Sequence, residues 1–266
     1  MRRPGWLALA LAETRMQVRL LLRNVVAAFF TLVMPLLFLI LLNFFIGDGE
    51  LSDGSALSNY FTPAIAVFGL VTATFTNLAI STAMARDAGV LKRVYGSPMP
   101  LSAHVAGRVL SATLLGLASV VVMLAIGALV YGVEIPWSRM PVFFGVLLIG
   151  AAAFSALGVA VAMVTPNARA APAVANAVIL PLTFVSGIFF PLTDAPAWLQ
   201  LVGRALPLAP FVESAVDQFV PWLIDGSIVW RLGVMMAWGL FGAVLALRFF
   251  RWEPSGTRRQ SLEIDT

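Results

Sequence analysis

Cysteine is absent from this 266-residue chain, and histidine and lysine occur once each, as His104 and Lys92. Without cysteine there are no disulfides, no thiol chemistry and no thiolate metal site. A solitary His104 has no companions with which to hold a metal and reads as a packing or interface residue. Lys92 follows no Gly-x-x-x-x-Gly-Lys-Ser/Thr pattern, so the chain is not itself a Walker-type ATPase. Charge is scarce too: 11% of residues are charged, against about a quarter in soluble proteins. The apolar runs carry no Asp, Glu, His or Lys near their centres. Proton- and ion-coupled transporters place such costly groups there, although a sodium site made of carbonyls would escape this test. Triads and metal clusters are also missing, which leaves an enzyme little to work with.

What is present is apolar length. Hydrophobic residues make up 60% of the chain, and six stretches each approach the roughly 20 residues that cross a bilayer. Backbone groups in lipid must pair internally, so the expected fold is all-α and polytopic. The six predicted spans are 25–46, 60–84, 109–133, 140–164, 170–190 and 228–247, within a transmembrane domain of 25–250. Pro35 should kink the first. The fourth is rich in small residues from Gly150 to Gly158 and should pack inside the bundle. Between the last two spans, 191–227 holds apolar pieces at 198–206 and 211–224, too short to cross, which suggests an outer re-entrant or interfacial segment. Residues 251–266 form a polar tail.

The first 24 residues read differently. Arg2 and Arg3 before an apolar 6–12 imitate a secretory signal, but Glu13, Arg15, Arg19 and Arg23 follow at once, so the segment is expected to be retained. Arg15, Arg19 and Arg23 form one stripe, while Leu11, Val18, Leu22 and Val25 fall on another face. The pattern predicts an amphipathic helix lying in the interface, with its arginines toward headgroups. Placing both termini, the loop after the second span and Arg169 on one side collects 14 of the 17 basic residues there. The positive-inside rule makes that side the cytoplasm.

Two groups of residues are candidates for function. Thr74, Asn77 and Ser81 share a face of the second span, and Asn176, Thr183 and Phe184 lie in the fifth. They are either glue between helices or a weakly polar wall along a substrate path. The second group is the loop 85–100. Arg86 and Asp87 leave the second span, Gly89, Leu91, Lys92 and Arg93 continue as a helix of about ten residues, and Ser97 and Pro98 begin its close. It is either a positively charged connector or a rigid docking element.

Here the chain resembles the membrane subunits of ABC exporters of the ABC-2 type. The likeness rests on Arg86-Asp87-Ala88-Gly89-Val90-Leu91-Lys92-Arg93 with Ser97-Pro98, where the family more often has glutamate than Asp87. It rests equally on Ser186-Gly187-Ile188-Phe189-Phe190-Pro191-Leu192, Pro196-Ala197-Trp198-Leu199 and Leu206-Pro207-Leu208, although asparagine is commoner where Leu206 stands. The resemblance implies a type V-like permease in a bacterial inner membrane, paired with a second copy or a homologue. ATP and magnesium would be bound by a separate nucleotide-binding subunit, which the helix at 6–24 and the loop 86–100 would contact. Phe190, Pro191, Pro196, Trp198 and Pro207 would belong to an outer lid. The implied activity is export of a drug-like or lipid-like amphiphile, with polysaccharide as an alternative cargo. Membrane lipids are expected partners and nucleic acid is not. An ion-coupled transporter and a membrane scaffold are the rival classes.

Overall fold

The structure is a computed structural model that describes residues 5–46, 49–51, 56–224 and 226–249. The polar tail and part of the acidic connection after the first span lie outside the described residues. Within them every regular element is helical, apart from an isolated bridge between Glu50 and Ala56.

Helix α1 (Trp6–Arg23) precedes a continuous helical run made of α2 (Val25–Ala28), a π-helical turn (Phe29–Val33) and α3 (Met34–Ile46). The π turn has a local cause. Pro35 has no N–H to give the carbonyl of Thr31, and its ring crowds that carbonyl, so the ladder widens just ahead of it. The second span is also interrupted: α4 (Ser58–Val71) passes through a π segment (Thr72–Asn77) into α5 (Leu78–Asp87). There the hydroxyls of Thr72 and Thr74 donate to the carbonyls of Phe68 and Leu70, at 2.9 and 2.8 Å. Such back-bonding competes with the backbone ladder.

After the short α6 (Val90–Tyr95) come α7 (Leu101–Tyr131), α8 (Met140–Val164) and α9 (Ala171–Phe184). Two short helices, α10 (Ala197–Ala205) and α11 (Leu208–Val216), lead into α12 (Ile228–Arg248). Among the described residues, four helical runs are long and apolar enough to cross a membrane: Ser58–Asp87, Leu101–Tyr131, Trp137–Val164 and Ile228–Arg248. The first and fifth predicted spans correspond to shorter apolar helices, Thr31–Ile46 and Ala171–Phe184. Helix α9 stops at Phe184, well short of residue 190, and is about 21 Å long at 1.5 Å per residue. The third span begins eight residues earlier than predicted, because Pro100 starts its helix. That extension carries His104 and Arg108 beyond the predicted apolar run.

Helix α4 is the centre of the bundle, buried from Tyr60 to Val67 on every face. Close packing on α8 follows from small residues, as its composition predicts. A Cβ on Gly150 would meet the Phe211 ring at 2.1 Å, and one on Gly242 would meet the backbone of Leu157 at 2.8 Å. Phe211 stacks on Phe154 of α8 with centroids 5.9 Å apart, which seats α11 in the core. All nine residues of α11 are buried.

Candidate functional site

Two ends of the bundle carry the polar side chains. At the basic end, α5 finishes with Arg86, which is only 2% exposed. Its Nη1 donates to the carbonyls of Ala162 and Met163, and its Nη2 to that of Thr165, at 2.9, 3.4 and 2.8 Å. Carbonyls in the last turn of a helix lack intrahelical donors, and a cation there also complements the helix dipole. Asp87 accepts from Arg86 through Oδ1 at 3.2 Å and from the Ala168 N–H through Oδ2. The pair thus staples the end of α5 to the end of α8 instead of facing outward.

Beyond the staple, Gly89 adopts φ +68°, a left-handed conformation that L side chains disfavour. It ends one helix and starts another, so the predicted helix of about ten residues is six long and Arg86 and Asp87 belong to α5. Leu91 is buried against Ala83, Ala162, Met163 and Ala171. Lys92 and Arg93 are exposed, as are Ser97 and Pro98. The Ser97 hydroxyl donates to the Val94 carbonyl at 2.7 Å and accepts from the Met99 N–H at 3.2 Å, which shapes the exit turn.

Helix α1 is fastened to the start of α7 by a polar joint. Glu13 is buried, with His104 Nδ1 3.1 Å and Gln17 Nε2 2.6 Å from its Oε1. Thr14 donates to the Ala10 and Gly107 carbonyls at 2.8 and 3.2 Å. Gly107 permits the approach: a Cβ there would lie 2.5 Å from that of Glu13. Trp6 Nε1 donates to Ser102 Oγ at 3.0 Å. Burial pushes the Glu13 carboxyl up. The approach of His104 and Gln17 and the charges of His104 and Arg108 outweigh it, holding the carboxyl below its usual range.

The packed face of α1 is therefore Ala10, Glu13 and Thr14. The face expected to meet the acyl boundary is not covered by the protein: Leu11 and Val25 are exposed and Val18 is half-buried, while the Leu22 side chain lies outside the described residues. Polar pairing to α7 decides the helix rotation. Arg15, Arg19 and Arg23 are exposed on the opposite side, as the stripe predicts.

The span residues divide. Thr74 and Thr183 are buried and donate to the carbonyls of Leu70 and Ile179, each at 2.8 Å. Asn77 and Ser81 line a cavity beside α1 and α7. Asn176 and Phe184 are exposed on α9. Of the six, Asn77 and Ser81 are brought together in that one cavity lining.

At the opposite end, the Tyr60 hydroxyl donates to the Gly187 carbonyl. Gln200 Nε2 donates to the carbonyls of Thr193 and Ala195. Arg204 pairs with Glu213 at 3.1 Å and Arg231 with Asp217 at 2.8 Å. Trp238 Nε1 donates to the Ala205 carbonyl at 2.9 Å, tying α10 to α12. Phe190, Pro196 and Trp198 are exposed, Pro191 is half-buried and Pro207 is buried.

Residues 9–220 match the model of the ABC-2 type transporter family. The chain belongs to that family. It is also 25% identical over 244 residues, 85% of each chain, to proteins described as a probable doxorubicin resistance ABC transporter permease, DrrC. These come from the CDC 1551 / Oshkosh and H37Rv strains of Mycobacterium tuberculosis. As an ABC-2 permease the chain is a multi-pass membrane component of a transporter rather than its catalytic part.

Sequence reasoning missed the joint between Glu13 and His104, and the buried Arg108 one turn further along α7. His104 and Arg108 are spaced to share a helix face, and Glu13 lies off the arginine stripe. Nothing in one sequence says that these two faces meet across the intervening residues.

Proposed function

We propose that this chain is the permease of an ATP-driven exporter, working as a pair of membrane subunits with two separate ATPase subunits at the basic, cytoplasmic end. The observation that carries this reading is the mounting of α6. Lys92 and Arg93 are exposed on a short helix whose Leu91 is buried between α5 and α8. The preceding Arg86 staple joins those two helices. A partner pressing on α6 moves two spans at once. Helix α1, bound to α7, is the second contact. Six crossings, counting the two shorter apolar helices, bring both termini to the same side. The segment from Pro191 to Trp222 dips into the outer end as a re-entrant lid through the buried α11. The family match and the drug-resistance permeases among the relatives support an amphiphilic, drug-like or lipid-like cargo.

The double substitution Lys92→Glu with Arg93→Glu should abolish export and co-purification of the ATPase while membrane insertion stays normal. Unchanged export would remove α6 as the coupling element. Reconstituted without an ATPase, the protein should move nothing uphill, and uphill transport on an ion gradient would replace this reading with the secondary-transporter class.

A further inference from the structure

Arg108 stands apart from the other deeply buried arginines. Arg86 and Arg231 each meet a carboxylate, at 3.2 and 2.8 Å. Arg108 is 6% exposed and, among the described residues, has no acidic side chain within ion-pair distance. Glu13 is near enough to feel its charge but is engaged by His104 and Gln17. One terminal nitrogen of the guanidinium donates to Ser81 Oγ at 2.9 Å, and its Nε is buried with no hydrogen-bond partner. A buried, unpaired cation is costly unless something else supplies the counter-charge.

The space for that counter-charge lies beside it. Arg108 lines a cavity of about 150 Å³ between α1, α5 and α7, ample for several water-sized groups. Asn77, Ser81 and Ser111 give it polar walls, and Leu20, Leu78 and Leu115 give it apolar ones. A site with a cationic donor, amide and hydroxyl groups and adjoining leucines suits one kind of molecule, an anionic headgroup on an apolar chain. The guanidinium fork matches phosphate oxygens in geometry, and the cavity sits at the basic end of the bundle, where an anionic leaflet would supply such headgroups.

We propose that this cavity binds the phosphate headgroup of an amphiphile, with Arg108 as counter-charge and Ser81 and Asn77 as further hydrogen-bonding groups. The occupant is either an acidic phospholipid resident in the bilayer or a single-chain phosphate amphiphile entering from it; both offer the same chemistry. The proposal goes beyond the export reading and is independent of it, because its test reads binding and not transport.

The full-length protein is purified in nanodiscs holding equal amounts of phosphatidylglycerol and phosphatidylcholine with the same acyl chains. Lipid retained after release is counted by native mass spectrometry. The wild type should retain phosphatidylglycerol over phosphatidylcholine by about tenfold, which corresponds to about 1.4 kcal/mol. Arg108→Gln should bring the ratio to about one. Ser111→Leu, which fills the cavity and leaves the cation in place, should do the same and guards against misfolding of the first variant. Arg93→Gln, on the exposed α6, should keep the preference. Dodecyl phosphate that displaces the lipid would support the site and assign it to single-chain amphiphiles; failure to displace would support it as a resident phospholipid site. Equal retention of the two lipids by the wild type, or a preference that survives both cavity variants, would overturn the proposal. Inorganic phosphate that stabilises the protein while no lipid is retained would overturn it as well, in favour of a soluble anion.

Discussion

Arg86 shows how a residue that invites one reading from its neighbours can serve another. Its charge and its place in a basic loop suggest a docking contact, yet its guanidinium is spent on the carbonyl end of α8 and on Asp87. Replacing it by alanine removes the cation beside Asp87 and the donor to three carbonyls of α8 and its cap and should cost about 3 kcal/mol, measurable as a lower unfolding temperature in detergent. Gly150 makes the opposite demand, for absence of a side chain. Gly150→Ala forces a methyl against the Phe211 ring and should cost about 1–3 kcal/mol. Combining it with Phe211→Leu should cost less than the sum of the two single changes. Glu13 predicts a pH response. Its carboxyl titrates lower in the folded protein than the ordinary 4.5. Its contribution is therefore complete above that ordinary value and is lost as pH falls through the lower folded one. A spin label on Arg19→Cys, unique because the chain has no cysteine, should report release of α1 in that acid range. Glu13→Gln should remove this transition.

Helices carry the second lesson. The long apolar runs are legible because a bilayer demands them: α8 and α12 appear where hydropathy places them, and α7 covers its predicted run but starts eight residues earlier. The small-residue stripe of α8 is legible for the same reason: close backbones need small side chains. What hides is local backbone choice and long-range pairing. The π turn before Pro35 and the left-handed Gly89 each change an element boundary by a single residue's geometry. The rotation of α1 depends on Glu13 meeting His104, residues far apart in the chain. Gly89→Ala tests the boundary directly. It should cost about 1 kcal/mol from the left-handed backbone and should loosen α6, read as faster proteolysis at Lys92 and Arg93.

For the molecule as a whole, the proposed pairing of two permease subunits can be tested at an exposed polar side chain. Asn176 is an exposed amide on α9, one turn before the exposed Leu180. An amide facing lipid alone is unfavourable, whereas one facing a second protomer or a water-filled cavity can be satisfied. Asn176→Cys should form a disulfide-linked dimer under mild oxidation in membranes. Val121→Cys, on the exposed face of α7, should not. Equal cross-linking of the two would place the contact elsewhere.

The two ends of the bundle also differ in what it takes to disturb them. The basic end has a small apolar cluster around Leu91 beside its polar joints, while the opposite end adds to its ion pairs the helix α11, whose Leu208, Phe211, Val212 and Val216 are wholly enclosed. If α11 swings out alone, its apolar surface becomes hydrated, and that step carries a large positive heat-capacity change. If α11 travels with α8 and α12 as a block, the hydration is avoided and the heat-capacity change is small. The curvature of transport rate with temperature therefore distinguishes a lid that detaches from a wall that tilts.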